Sequence, residues 1–164
     1  MFFASINDIL GVLPPWLHIL IISMLPVIEL RGALPYGILV LHMSYTQVIP
    51  LCLIGNMLPV PLILLLAKKF LDWSQTANIK LIRKFGNWLR NHSMKRSARI
   101  EKASFWGLVL FVGIPLPGTG AWTGSIIASL LELKFGKSML AVFLGVCVAA
   151  VLVSLLVQAG IMLA

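Results

Sequence analysis

Charged side chains are scarce in this chain, and acidic ones most of all. Of its 164 residues only 11% are charged, with five Asp or Glu against 13 Lys or Arg, whereas 60% are hydrophobic. Soluble globular domains carry about 25% charged residues. The composition therefore excludes an ordinary soluble domain and predicts a single all-α integral membrane domain that comprises residues 1–164.

Cysteine and histidine are also rare. The two cysteines, Cys52 and Cys147, both lie in apolar runs, which excludes a disulfide framework and predicts two small core residues. The three histidines are scattered, and no nucleophile, base and orienting residue form a recognisable set. We therefore expect no metal, no organic cofactor and no enzymatic activity.

Two apolar runs, residues 46–67 and 138–163, are long enough to span a membrane. At about 1.5 Å per residue the first run is roughly 33 Å long, slightly more than the hydrocarbon core of a bilayer. Its prolines, Pro50, Pro59 and Pro61, predict a kink or frayed ends. The pieces at 105–114 and 122–133 are too short to cross unaided.

Short apolar pieces, a polar break and a full span follow in the same order twice. Gly32-Ala33 matches Gly120-Ala121 at an offset of 88 positions, and Gly55 matches Gly145 at 90. We interpret residues 1–67 and 105–164 as an inverted repeat, in which each copy is a re-entrant helical hairpin followed by one transmembrane helix. Two full spans in place of each hairpin are the alternative, and they would not change the orientation.

Positive charge is concentrated between the two copies. Ten of the 13 Lys and Arg residues fall within residues 68–102, and two more are Lys134 and Lys137. The positive-inside rule places 68–104 and 134–137 in the cytoplasm and both termini outside, in a prokaryotic plasma membrane. Because the charge follows the predicted topology, no nucleic-acid surface is expected.

Basic and apolar residues alternate at helical spacing in the linker 68–104. The pattern predicts an amphipathic helix on an anionic lipid surface, and a solvated loop with one helix is the open alternative. The predicted membrane-surface residues are Lys80, Arg83, Lys84, Trp88 and Arg90.

The first break, Glu29-Leu-Arg-Gly-Ala-Leu-Pro35, holds the acidic and basic residues expected at membrane depth. A charge there is costly unless it is paired or hydrated, so Glu29 and Arg31 are candidates for proton and substrate binding. A structural ion pair is the alternative. Gly32 to Pro35 are expected to begin a half-helix, with proline near its first position.

The second break, Pro115-Leu-Pro-Gly-Thr-Gly-Ala-Trp-Thr-Gly124, cannot form a continuous helix. A helix that begins at Ala121 or Trp122 would direct its positive end toward the membrane centre, although a tight turn or close packing would also explain the glycines. The predicted substrate- or ion-binding residues are Glu29, Arg31, Gly32, Pro35, Asn56, Pro117, Gly118, Thr119, Gly120, Trp122 and Thr123. For Asn56, a bond to a neighbouring helix is an equal alternative.

Both breaks resemble the signatures of the family of putative small multidrug export proteins, which is related to the DedA superfamily of membrane proteins. The resemblance covers nearly the whole chain. It implies two opposed re-entrant hairpins with an acidic and a basic residue near the pathway. DedA relatives are linked to proton-dependent membrane homeostasis, and some to recycling of a lipid-phosphate carrier.

Three functions remain open. The first is a proton-coupled transporter of an anionic or lipid-phosphate-type substrate, in which Glu29 takes up the proton while Arg31 and the backbone of residues 118–123 bind the anion. The second is efflux of lipophilic or cationic compounds with Glu29 as counter-ion, and the third is a lipid-organising protein that transports nothing. The expected partners are the lipid bilayer, anionic lipids and a small-molecule or lipid substrate. A homo-oligomer is also expected, because two full spans in one chain shield two hairpins poorly from lipid. A homodimer is favoured.

Overall fold

A computed structural model describes residues 13–76, 98–116 and 118–163, and these residues contain helices but no β-strand. The helices are α1 (Pro15–Met24), α2 (Glu29–Leu39), α3 (Tyr45–Met57), α4 (Val60–Thr76), α5 (Ala98–Gly113), α6 (Ala121–Leu130) and α7 (Phe135–Leu163). The all-helical class predicted from the sequence is confirmed for these ranges. The predicted amphipathic linker helix, with Lys80, Arg83, Lys84, Trp88 and Arg90, lies outside the described residues.

Two helical stretches are long and apolar enough to cross a membrane. They are Tyr45–Lys69, with 25 residues and a mean hydropathy of 2.2, and Phe135–Gly160, with 26 residues and a mean hydropathy of 3.0. Pro15–Met24, Ala103–Gly113 and Ala121–Leu130 are apolar but shorter. The two spans expected from the apolar runs are therefore present as helices.

The first span bends where its prolines predict a bend. Helix α3 ends at Met57 and α4 begins at Val60. Pro59 lies in the joint, and because it has no N–H it cannot continue the hydrogen-bond ladder. The ladder resumes when the Ile63 N–H donates to the Pro59 carbonyl at 3.0 Å. Pro61 is tolerated because it occupies the first turn of α4, where backbone N–H groups have no partner within the helix.

The first break lies earlier in the chain than the sequence predicts. Helix α1 ends at Met24, residues 25–28 form the turn, and Glu29 begins α2 in a left-handed conformation with φ 50°. The expected half-helix start at Gly32 to Pro35 is therefore wrong, because Pro35 lies inside α2. The helix continues through it because its apolar residues are buried in the core, and that burial outweighs one missing hydrogen bond.

The second break is where the sequence places it. Helix α5 ends at Gly113 and α6 begins at Ala121. Between them the chain turns at Gly118, whose φ of 84° favours glycine because a side chain would clash with the backbone. Helix α7 begins at Phe135, three residues before the predicted run at Ser138, so it includes part of the basic connection.

The two halves of the chain interlock. Helix α1 packs on α2 and α3, and α5 packs correspondingly on α6 and α7. Across the halves α2 packs on α7, and α4 packs on α6. These crossed contacts bring the start of α2 against the start of α6, so the two breaks meet.

Candidate functional site

The carboxylate of Glu29 binds the N-terminus of α6. Its Oε2 accepts a hydrogen bond from the Ala121 N–H at 3.3 Å, and its Oε1 accepts one from the Trp122 N–H at 3.2 Å. These two N–H groups belong to the first turn of the helix, where no backbone carbonyl is available to them. Glu29 is only 6% exposed, so its carboxylate occupies the helix end in place of any external anion.

Gly120 allows this close approach. A Cβ built on Gly120 would overlap the carboxylate of Glu29. The backbone of Gly120 is extended, with φ 167° and ψ −172°, so a larger residue could adopt it. Glycine is therefore required here for space and not for conformation.

The guanidinium of Arg31 binds carbonyls at the C-terminus of α5. Its Nη1 donates to the Leu116 carbonyl, and its Nη2 lies 3.3 Å from the Val112 carbonyl and 3.2 Å from the Ile114 carbonyl. These carbonyls end α5 and begin the second break. A cation is favourable at a helix C-terminus, by up to about 2 kcal/mol when it is partly buried.

Thr119 completes the binding of Arg31. Its Oγ1 accepts a hydrogen bond from Arg31 Nη2 at 2.9 Å. The same hydroxyl lies 2.8 Å from the Ile114 carbonyl and 2.9 Å from the Leu116 carbonyl. The hydroxyl therefore ties the side chain of Arg31 to the backbone of the break.

Trp122 connects the start of α6 to the end of α1. Its indole Nε1–H donates to the carbonyl of Met24, the last residue of α1, at 3.0 Å. Its backbone N–H binds Glu29 on the other side of the turn 25–28. One residue of the second break thus holds both ends of the first break.

Asn56 supports the same turn from α3. With the amide oriented so that its nitrogen faces a carbonyl, it donates to the Ser23 carbonyl at 3.0 Å and accepts from the Leu30 N–H at 2.9 Å. Its side chain is 1% exposed. Asn56 therefore bonds neighbouring helices, which is the alternative that the sequence left open, and it also borders the space beside Glu29.

Two cavities adjoin these residues. A small void of about 10 Å³ is bordered by Glu29, Asn56 and Gly120, and its volume suits one water molecule at most. A much larger groove of about 600 Å³ lies between α2 and α7, with walls that include Pro35, Leu39 and Leu156. Arg31 borders both cavities.

The remaining predicted residues lie around this junction with less direct contacts. Gly32 packs against Ile28, Thr123 lies 3.4 Å from the Gly120 carbonyl, and Gly118 is exposed with no neighbour within 4 Å of an added Cβ. Pro117 lies outside the described residues. In the described ranges, no three His, Cys, Asp or Glu side chains are grouped to hold a metal ion.

Sequence reasoning missed the partners of the two charges. The acceptors for Arg31 are backbone carbonyls, and the donors to Glu29 are backbone N–H groups, so residue identity gives no signal for them. The residues of α7 that line the groove were also missed, because the sequence does not distinguish a valine or leucine that lines a groove from one that faces lipid. Only the indole of Trp122, a donor inside a broken segment, indicated that a partner was needed.

A family model described as "Putative small multi-drug export protein" matches residues 29–152. The match covers more than half of the chain. The protein belongs to this family. The matched range begins at Glu29 and contains the second break and both spans up to the middle of α7. The bonds of Glu29 and Arg31 to the second break therefore lie within the range that the family model matches. No match was found among curated proteins or solved structures.

Membership of the family agrees with the apolar helices. A chain with two stretches that can cross a bilayer, in a family named for export, is a membrane protein. Charges at this depth are costly and are retained where they have a role. The junction of Glu29 and Arg31 with the second break is therefore the candidate functional site of this family member.

Proposed function

We propose that this protein is a proton-coupled membrane transporter, and that it moves an anionic substrate through the junction of two broken helical hairpins. The observation that carries the proposal is the carboxylate of Glu29, which is buried inside an apolar helical protein and bonded to the start of α6. A lipid-phosphate-type molecule is within this substrate class. The family description supports movement of small molecules across the membrane.

The proton step follows from the hydrogen bonds of Glu29. The ionised carboxylate is an acceptor for two N–H donors, and protonation removes its charge and gives one oxygen a hydrogen of its own. The bonds to Ala121 and Trp122 then weaken. We therefore infer that proton uptake by Glu29 loosens the contact between α2 and α6, and that proton release restores it.

The arrangement in two copies is part of the proposal. Equivalent glycines in the two halves make equivalent close contacts between helices, which supports this arrangement. An added Cβ on Gly55 would lie 2.6 Å from the Leu20 carbonyl, and one on Gly145 would lie 3.0 Å from the Val109 carbonyl. The arrangement is supported further by the left-handed residues His42 and Glu132, which follow α2 and α6 and are 90 positions apart. We propose that the copies are inverted and re-entrant, a plan shared with the DedA superfamily, and that they gate alternately.

Orientation and assembly complete the proposal. The concentration of Lys and Arg in residues 68–102 supports a cytoplasmic linker, termini outside and a prokaryotic plasma membrane. Large apolar side chains are exposed on the short helices, among them Trp16 on α1, Leu110 on α5 and Ile126 on α6, and a homodimer would cover part of this surface. Anionic lipids are the proposed partners of the basic linker.

Efflux of lipophilic cations is the second candidate, and the family description favours it. The placement of the charges argues against it. Arg31 borders the large groove, whereas Glu29 borders the small void and is not part of the groove's lining. A cation in the groove would therefore meet a positive charge first.

A liposome assay tests the proposal. Purified protein is reconstituted with a trapped pH-sensitive dye, and proton movement is followed after addition of dodecyl phosphate or of tetraphenylphosphonium. Of the two compounds, we expect only dodecyl phosphate to drive protein-dependent proton movement. We expect Glu29→Gln to abolish that movement. Glu132→Gln is the matched control, because that glutamate is exposed. Transport that survives Glu29→Gln unchanged would remove Glu29 from the mechanism.

Equal proton movement with tetraphenylphosphonium would favour cation efflux. The lipid-organising alternative predicts no movement with either probe. It also predicts that neutralising the basic residues of the linker abolishes cellular function while Glu29 and Arg31 are dispensable.

A further inference from the structure

The groove and the void lie on one continuous face of α7. Val146 and Ala149 border the void, and Val153 and Val157 border the groove. Positions three or four residues apart share a face of a helix, so these four side chains form a single row. The two cavities therefore follow each other along α7.

Helix α2 shows the same order on the opposite wall. Glu29 borders the void, Pro35 borders the groove, and Arg31 borders both. The end of α5 and the start of the second break show the same order, because Val112 borders the void and Pro115 borders the groove, and Gly120 lies beside the void together with Glu29. On all three elements the change from void to groove occurs at the level of Arg31.

We propose that the side chain of Arg31 is a gate between the groove and the space beside Glu29. With the gate closed, the void holds no more than about one water molecule, so nothing larger reaches the carboxylate. The groove, at about 600 Å³, has the size of a small-molecule site. When the Arg31 side chain leaves, the two spaces join into one path along α7.

The bonds that close the gate also specify what opens it. Arg31 is held by neutral acceptors, namely backbone carbonyls and the hydroxyl of Thr119. An anion adds an attraction between two full charges that a neutral carbonyl or hydroxyl does not supply, and a carboxylate or phosphate can accept two parallel N–H bonds from the guanidinium. An anionic group that arrives through the groove therefore competes for Arg31 and opens the gate, whereas a cation does not. This second step rests on the proposed function, while the gate itself is a property of the fold.

Cysteine labelling tests the gate. Two reporters one helical turn apart, Ala149→Cys beside the void and Val153→Cys beside the groove, are made in a Cys147→Ala background. Purified protein is treated with N-ethylmaleimide, and modification is quantified by mass spectrometry. Cys52 is retained because it is fully buried, so its labelling reports loss of the fold.

We expect Ala149→Cys to react at least tenfold faster when Arg31→Ala is added, while Val153→Cys reacts at a similar rate with and without that change. Equal rates at position 149, with Cys52 unmodified, would overturn the gate. If Arg31→Ala exposes Cys52, the experiment is repeated with Thr119→Val in place of Arg31→Ala. Thr119→Val removes one hydrogen-bond partner of Arg31 and leaves the positive charge. It should raise the rate at position 149 several-fold, and an unchanged rate would again reject the gate.

A ligand arm separates the gate from the proposed function. Dodecyl phosphate should accelerate labelling of Ala149→Cys in protein that retains Arg31, and tetraphenylphosphonium should not. If Arg31→Ala accelerates labelling at position 149 but dodecyl phosphate does not, the gate is supported and the proposal of an anionic substrate is rejected.

Discussion

The carboxylate of Glu29 lies 3.2 Å from the backbone nitrogen of Trp122, a residue 93 positions later in the chain. This contact joins the first residue of α2 to the first turn of α6. Two positions after Glu29, Arg31 binds the carbonyls that end α5. One short segment therefore supplies opposite charges to the two helix ends of the second break.

Gly120→Ala should disrupt this contact through space alone. The added Cβ would overlap the carboxylate of Glu29, and overpacking of a buried site typically lowers the free energy of unfolding by about 1–3 kcal/mol. Thermal unfolding in detergent measures the change. Gly136→Ala is the matched control, since its Cβ would meet nothing within 4 Å. Equal melting temperatures for the two variants would contradict the observed packing at Gly120.

Asn56→Leu should destabilise the turn between α1 and α2. The substitution keeps the branched shape with a somewhat larger side chain, and it leaves the Ser23 carbonyl and the Leu30 N–H without their side-chain partner, at about 1–3 kcal/mol for each buried group. Gln158→Leu serves for comparison, because Gln158 is exposed and its bond to Tyr45 is long at 3.3 Å. We expect a clear loss of stability for the first variant and a change within about 0.5 kcal/mol for the second.

Thr119→Val should loosen Arg31 without changing any charge. Valine has a similar shape, but it cannot accept the hydrogen bond that Arg31 now donates at 2.9 Å. We expect altered transport kinetics in liposomes, with Thr119→Ser restoring the original rate because serine keeps the hydroxyl. Thr46→Val, at an exposed position, controls for loss of a threonine. A Thr119→Ser variant as defective as Thr119→Val would show that the hydroxyl is not what matters.

Gly55→Ala and Gly145→Ala should destabilise the protein to a similar degree. In each case the added Cβ would approach a carbonyl of the neighbouring helix, Leu20 or Val109, at 3.0 Å or less. We expect each melting temperature to fall, by the equivalent of about 1–3 kcal/mol. Gly107→Ala, where the new Cβ has open space, should be neutral or stabilising by up to about 1 kcal/mol. A strong effect at only one of the two glycines would count against the proposal that the two halves are repeats.

The sequence predicts the second break better than the first. Residues 115–120 contain two prolines and two glycines, so the end of α5 and the start of α6 follow from backbone chemistry. The turn at 25–28 has only Pro26, and the polar residues after it suggested a later break. Burial of the apolar face of α2 outweighed the helix-breaking tendency of Pro35.

The charged residues could be identified from the sequence, but their partners could not. Glu29 and Arg31 stand out because charges are rare at membrane depth. Every residue carries a carbonyl, so nothing marks Val112 or Ile114 as an acceptor. Similarly, Val151 is 60% exposed and Val153 is 5% exposed, and only the packing of α7 distinguishes two identical residues.

The bonds of Glu29 and Arg31 to the second break have a consequence for the divergence of the family. A change at Gly120 removes the space for the carboxylate of Glu29, and a change at Thr119 removes an acceptor for Arg31. Substitutions at these four positions should therefore accumulate together among relatives, although the positions lie in distant parts of the chain. A homologue that lacks the acid should tolerate a side chain at position 120, and one that keeps the acid should retain glycine there.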